Sequence, residues 1–359
     1  MRYSGIGGQA VMEGVMMKNQ ETYAVAVRKP DQEIIVEASE YQGIIRNQKI
    51  RNFPILRGVF SFIESLTLGM RTLTFSASFF EEEPEKPERA GNGEKAETGN
   101  GEKAEAGNDQ PERAGSGEKA ETGNGEKAET GNVRKAEEPE RAGNGRAESL
   151  AMGGTVALSI VLAIGIFMVL PYGISLLFQR FVTSRLLIAL LEGVIRLAIF
   201  IGYVAVISLM PDIRRVYMYH GAEHKCINCI ENGMDLTVEN VKKSSRYHKR
   251  CGTSFLLIVM LISIVFFMLI RVDHAVGRLA LRILLIPVIA GVSYEFIRAA
   301  GRSDNPVIHV LSLPGMWLQR VTTREPDESM IEVGIASVEA VFDWHSYVEE
   351  IRQERREDL

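Results

Sequence analysis

Apolar residues are distributed unevenly along the chain. Four runs, 152–178, 186–210, 252–270 and 281–300, each approach the roughly 20 residues that a helix needs to cross a bilayer. They predict about four transmembrane helices. The first run contains Pro171 and Gly173, which a membrane helix tolerates. Upstream, 54–80 is apolar except for Arg57, Glu64 and Arg71, spaced every seven residues, so a helix here would carry one narrow polar stripe. Such a helix is expected to lie in the membrane interface with its charges toward water, with re-entrant and spanning arrangements as alternatives. Gly58, Ser61, Ser65 and Gly69 form a second stripe suited to close helix packing. Nearer the N-terminus, 22–28 and 33–38 are β-rich and separated by Lys29-Pro30-Asp31-Gln32, which predicts a hairpin. The expected class is mainly α: a polytopic helical membrane protein with a small N-terminal β-hairpin element and a disordered insert.

That insert, 81–148, repeats GEKAETGN or GEKAEAGN from Gly93, Gly101, Gly117 and Gly125 and has almost no apolar residues. It cannot bury enough surface to offset the entropy of ordering, so a flexible linker is expected. The chain thus divides into 1–80, the linker, a membrane region 149–302 with a polar segment 211–251, and a tail 303–359. In the tail, a helix near 330–345 is expected to start with a capping box of Ser329 and Glu332 and to place Ile331, Ile335, Val338 and Phe342 on one face. It needs a partner surface, which the hairpin or 211–251 could supply.

Charge adjusts this picture. The insert holds nineteen Asp/Glu against eleven Lys/Arg, leaving 27 acidic and 30 basic residues elsewhere. So small a surplus suggests no nucleic-acid partner. Segment 211–251 collects Arg214, Arg215, Lys225, Lys242, Lys243, Arg246, Lys249 and Arg250, whereas the loops 179–185 and 271–280 hold two basic residues each. The positive-inside rule puts 211–251 in the cytoplasm and, with four spans, both termini as well, in a bacterial inner membrane. Residues 1–18 show no basic region followed by an apolar run, so no cleavable signal is expected. Three cysteines suit a reducing compartment. Glu192 and Arg196, at i,i+4 in the second span, read as a structural ion pair.

Candidate chemistry gathers in 211–251. A helix from Asp212 to about Gly233 would carry His220-Gly221-Ala222-Glu223-His224. This is H-x-x-E-H, in which histidines one turn apart bind a metal and the glutamate acts as general base. Glu295 is a third ligand by spacing alone. The histidines also fall on the apolar face with Ile213, Tyr217 and Ile227, where hydrogen-bonded core histidines are common, and Gly221 weakens a helix. A competing set, Cys226-x-x-Cys229 with His248-x-x-Cys251, has zinc-ribbon spacing and would make an inert structural site. Buried free thiols are the third reading. The glycine-rich segment 5–17 lacks the ending of a phosphate-binding loop and more simply permits close backbone packing, with Glu13 as a polar contact toward the metal region.

The stretches GGQAVMEGVMM (7–17), YHGAEHK (219–225), RCGTSFL (250–256), PVIAGVSYEFIRAAGR (287–302) and PGMWLQRVTTREP (314–326) resemble the YqhQ-like bacterial membrane proteins, a family of unknown function described as predicted metal-dependent enzymes. The resemblance implies a membrane location and a bound divalent metal, such as zinc, without an assigned reaction. It carries the metal to His220, Glu223, His224, His248 and Cys251. The family pattern has Thr where this chain has Cys226, which disfavours the ribbon and favours ligands drawn from His220, His224, His248 and Cys251. The long insert is atypical, so function is not expected to need it. Two roles follow: a metal-dependent hydrolase at the membrane surface with Glu223 as base, or a scaffold that docks a soluble or membrane protein partner. A transporter is disfavoured, because the spans hold few ionisable residues beyond Glu192, Arg196 and Glu295.

Overall fold

The N-terminal segment folds as an antiparallel meander of β1 (Gly7–Val11), β2 (Gly14–Asn19), β3 (Thr22–Arg28) and β4 (Ile34–Glu40). A two-residue strand, β5 (Arg134–Lys135), pairs parallel to β4 at Glu37 and Ala38. The expected hairpin is therefore the second half of a larger sheet, whose first half comes from the glycine-rich segment. The residues of β2 and β3 alternate between two cores. Val15, Met17, Ala24 and Ala26 face one side, whereas Met16, Tyr23, Val25 and Val27 face the other. Both faces are covered, so the central strands are buried along their length.

The computed structural model describes residues 2–41, 43, 53–80, 134–135, 145–270, 272, 274–300 and 305–357. These belong to one unit formed by Met1–Phe80 and Gly131–Leu359. The repeat segment read as a linker lies outside the described residues, except at 134–135 and 145–148.

Helix α1 (Leu56–Ala77) covers the second face of the sheet through Leu68, Phe75 and the following Phe79. Gln9 Nε2 donates to Thr72 Oγ1 (3.0 Å) and the Met12 amide to Ser76 Oγ (3.2 Å). The other end of α1 reaches the membrane region.

Beyond the insert, α2 (Gly145–Ile164) continues through a π-helical turn, Gly165–Val169, into α3 (Leu170–Phe178), with Pro171 at the start of the latter. The backbone there is thus continuous helix. Then come α4 (Arg185–Ile207), α5 (Pro211–Glu231), α6 (Val238–Lys243), α7 (Gly252–Met268) and α8 (Ala275–Ala300). Three helices are long and apolar enough to cross a membrane: Gly153–Phe178, Arg185–Ile207 and Val276–Ala300. The fourth expected span, α7, is apolar throughout but has 17 residues, about 25 Å of helix against a hydrocarbon core of about 30 Å. Helix α8 begins earlier than its apolar run, at Ala275. Gly58 of α1 and Gly291 of α8 meet so closely that a Cβ on Gly58 would lie 2.9 Å from the Gly291 Cα. Beside that contact Arg57 pairs with Glu295. Gly58 of the small-residue stripe and Arg57 of the polar stripe thus face α8, whereas Gly69, at the other end of the small-residue stripe, lies against Gln9 of β1.

In the tail, α9 (Pro306–Thr322) packs on α7. Next, α10 (Glu328–Glu339) is capped by Asp327, whose Oδ1 accepts from the Met330 amide (2.9 Å). The expected capping box at Ser329 is displaced because the Asp327 carboxylate takes the cap and the Ser329 hydroxyl donates to it. The partner surface for α10 is both of the anticipated ones. Met330, Ile331, Val333 and Val338 share a core with Val15 and Ala24 of the sheet and with Ala222, Cys226 and Ile230 of α5. Helix α11 (Trp344–Glu357), not anticipated from the sequence, seats Val348 and Ile351 near the end of α5.

Candidate metal centre

Helix α5 organises the site. Pro211 fixes its first turn, with Met210 and not Asp212 at the N-cap, and Gly233, at φ +75°, lies just past its end. At 100° per residue, His220, His224, Asn228 and Glu231 fall on one face, while Cys226 and Cys229 point to the far side. The shared face receives segment 244–251. Asn228 Nδ2 donates to the carbonyls of Ser245 (2.6 Å) and Tyr247 (3.0 Å), and Glu231 pairs with Arg250. Gln319 of α9 fixes the same segment from the other side, accepting from the His248 amide and donating to its carbonyl, both at 2.8 Å.

These contacts bring Cys251 to the two histidines. The donor atoms of His220, His224 and Cys251 all lie within 4.8 Å of one another. His220 Nε2 is 3.2 Å from Cys251 Sγ. His220 Nδ1 faces the Thr322 carbonyl at 2.9 Å, and His224 Nδ1 faces the Arg246 carbonyl at 2.6 Å. A carbonyl only accepts, so both Nδ1 atoms carry a proton, and both Nε2 atoms are the ones that could bind a metal in exchange for any proton they hold. This is the arrangement that orients a metal-bound imidazole. The buried His224 Nε2 has no hydrogen-bond partner among the described residues. Tetrahedral zinc, with Zn–N about 2.0 Å and Zn–S about 2.3 Å, requires donor separations near 3.5 Å, which the cluster approaches.

Gly221, expected only to weaken the helix, has a specific place. A Cβ there would lie 2.0 Å from the Arg324 carbonyl oxygen. Its absence lets 322–326 run against α5, where the Arg324 amide donates to the Tyr217 carbonyl (2.8 Å) and the Thr322 carbonyl reaches His220.

The three thiols differ electrostatically. Burial would raise Cys251, but the charges of His220 and His224 outweigh it and hold the thiol well below its usual range. Cys251 also caps α7, accepting from the Thr253 amide, a position that favours a thiolate. For His220, burial opposes the charged form and the Cys251 thiolate favours it, lifting the imidazole to about 9. By contrast, burial pushes Cys226 well up and Cys229 to about 11, so both remain thiols. Cys226 packs against Gly334, and the Cys229 thiol donates to the Asp235 carbonyl (3.4 Å). The structure therefore does not assemble the four-ligand ribbon.

Glu223, buried beside the cluster, approaches β1, where a Cβ on Gly8 would lie 3.1 Å from its Cγ. One carboxylate oxygen is buried without a partner among the described residues, and burial raises its carboxyl. His248 packs beside His224 with the rings tilted, centroids 5.6 Å apart, and its Nε2 is 3.8 Å from Glu231. Glu295 lies with Arg57, away from the cluster, and Glu13 pairs with Arg215 and accepts from Tyr219 Oη (3.2 Å), the residue next to His220.

The supporting groups that sequence reasoning missed are Thr322, Arg246, Glu231, Gln319 and Thr253. Two act through backbone carbonyls, which carry no side-chain signature. Gln319, Thr322 and Thr253 do lie in the stretches 314–326 and 250–256 that carried the family resemblance.

Residues 53–344 match the family described as protein of unknown function (DUF1385). The chain belongs to this family. It is 29% identical over 332 residues to the uncharacterized protein YqhQ of Bacillus subtilis (strain 168), covering 92% of this chain and 90% of that one. No solved structure matches. Family membership agrees with the sequence reading and, the family being uncharacterised, assigns no activity.

Proposed function

We propose that this family member is a multi-pass protein of the bacterial inner membrane that holds a divalent metal, zinc by its donor set, at His220, His224 and Cys251 on the cytoplasmic face. The observation that carries the reading is the pair of imidazoles locked through Nδ1 onto carbonyls, with both Nε2 atoms turned toward a thiol kept as thiolate. Helix α7 is the fourth span, at the short end of the usual range, which returns 211–251 and the C-terminal tail to the side of the N-terminal sheet.

The site best fits a metal-dependent hydrolase acting at the membrane surface. Three protein ligands leave a coordination position open, where a bound metal would supply an activated water. Glu223 would take the proton of that water at its unpartnered oxygen, its raised carboxyl bringing it nearer the working range of a general base. His220 and His224 stay oriented by Thr322 and Arg246, and Glu231 and Arg250 hold the segment that carries Cys251. A scaffold reading is favoured by a different observation: the cluster ties α5, 246–251 and the end of α9 together, so a metal would also brace a surface for a partner protein.

Metal content and the Glu223→Gln variant separate these. Wild type should purify with equimolar metal, His224→Ala and Cys251→Ser should lose it, and Glu223→Gln should keep it while losing function in the cell. A Glu223→Gln protein that works like wild type excludes the hydrolase and leaves the scaffold. Absence of metal from wild type removes both.

A further inference from the structure

The bundle has a second charged centre at the end remote from the cluster. Helix α4 begins there at Arg185 and α7 ends there at Met268, whereas Cys251 stands at the other end of α7, about 25 Å away by helix rise. Glu192 accepts from Arg196 Nη2 (2.8 Å) and from both terminal nitrogens of Arg282 (2.5 and 2.8 Å). The three residues are each 3% exposed. Two guanidinium groups thus share one carboxylate, which among the described residues leaves a positive charge inside the apolar region. A buried charge without compensation is costly, so an anion there is strongly favoured. Arg282 Nε is moreover buried without a hydrogen-bond partner among the described residues.

Beside this triad lies a cavity of about 680 Å³, lined by Glu192, Arg282, Arg278, Arg185, Gln179 and Thr183 among others. Arg282 and Arg278 rest over the Tyr172 ring at 5.3 and 5.7 Å, which holds their planes in place. A smaller cavity of about 150 Å³, almost wholly apolar, lies further along α7 toward its Cys251 end; Phe267 borders both, and Arg196 reaches the smaller one. A donor-rich chamber next to an apolar slot matches an amphiphile with an anionic head.

We propose that the larger cavity binds a phosphate-bearing anion, either the headgroup of an anionic phospholipid or free phosphate. Guanidinium forks match phosphate oxygens in geometry and charge, and the apolar slot would take the start of an acyl chain. This site is independent of the metal centre.

The test uses full-length protein in nanodiscs of phosphatidylcholine, titrated with phosphatidylglycerol or with inorganic phosphate, and read by thermal unfolding and native mass spectrometry. Phosphatidylglycerol should raise Tm and appear bound, and the Arg185→Gln/Arg278→Gln double variant should bind about tenfold more weakly. A response to phosphatidylglycerol alone supports the lipid, and one to inorganic phosphate as well supports recognition of the phosphate group itself. No response to either, or a double variant that binds like wild type, overturns the proposal. Should the double variant fold poorly in neutral lipid, the phospholipid co-purifying with wild type decides: enrichment of anionic lipid over the source membrane supports the site, and no enrichment overturns it.

Discussion

His220 and His224 show what a local motif can and cannot disclose. Their spacing made the pair legible, because two imidazoles at i,i+4 share a helix face whatever the fold. Their tautomers were not legible, since they depend on the Thr322 and Arg246 carbonyls, supplied by distant segments. Gly221 illustrates the same limit: its meaning is the Arg324 carbonyl against the helix, not a loss of helix propensity. Replacing it with Ala places a methyl 2.0 Å from that oxygen. The Gly221→Ala variant should lose about 1–3 kcal/mol and most of its metal, because Thr322 is carried away from His220. Thermal unfolding and metal content of the same preparation check both effects.

Glu231 belongs to the scale of elements, since it joins α5 to the segment 244–251. Burial disfavours its charged form, but His248 3.8 Å away, the charge of Arg250 and the hydrogen bond from the Ser4 amide prevail and hold the carboxyl at about 2, below the ordinary 4.5. A depressed carboxyl contributes stability that is complete above the unfolded value. That contribution is lost as pH falls from about 4.5 through about 2. The Tm of wild type should drop across this window more than that of Glu231→Gln, which should already be less stable at neutral pH by about 3 kcal/mol, with Arg250 left unpaired. Parallel slopes for the two proteins would contradict the assignment. At the contact of α1 with α8, Gly58→Leu should cost about 1–3 kcal/mol by forcing the helices apart, yet leave metal content unchanged. Element prediction was uneven for physical reasons. Helices α4 and α8 announced themselves by apolar length, and β3 and β4 by β-branched runs around a Pro-containing turn. Strands β1 and β2 were hidden because their glycines suggested a loop; Gly8 and Gly14 in fact admit neighbouring backbone, with a Cβ on Gly14 only 2.4 Å from the Ala26 carbonyl oxygen. Helix α11 was missed because few of its residues are apolar.

At the scale of the molecule, the site joins residues more than a hundred positions apart: the N-terminal sheet backs Glu223, α5 gives the histidines, the start of α7 gives the thiolate, and the end of α9 orients His220. The family resemblance marked these stretches without saying that they meet, and the zinc-ribbon spacing misled because Cys226 and Cys229 leave α5 on the face that packs against α10 and the 234–235 turn. The repeats from Gly93 to Gly125 hold almost no apolar residue that could join a core, so deleting 93–130 should leave Tm and metal content unaltered. The central claim, a metal held by two imidazoles and one thiolate, is tested most directly by X-ray absorption at the zinc edge on the purified full-length protein. The account predicts a four-coordinate shell with one sulfur at about 2.3 Å and nitrogen or oxygen neighbours at about 2.0 Å, including two imidazoles, and no zinc signal from Cys251→Ser. A shell without sulfur, a shell with two or more sulfurs, or protein free of metal would contradict it.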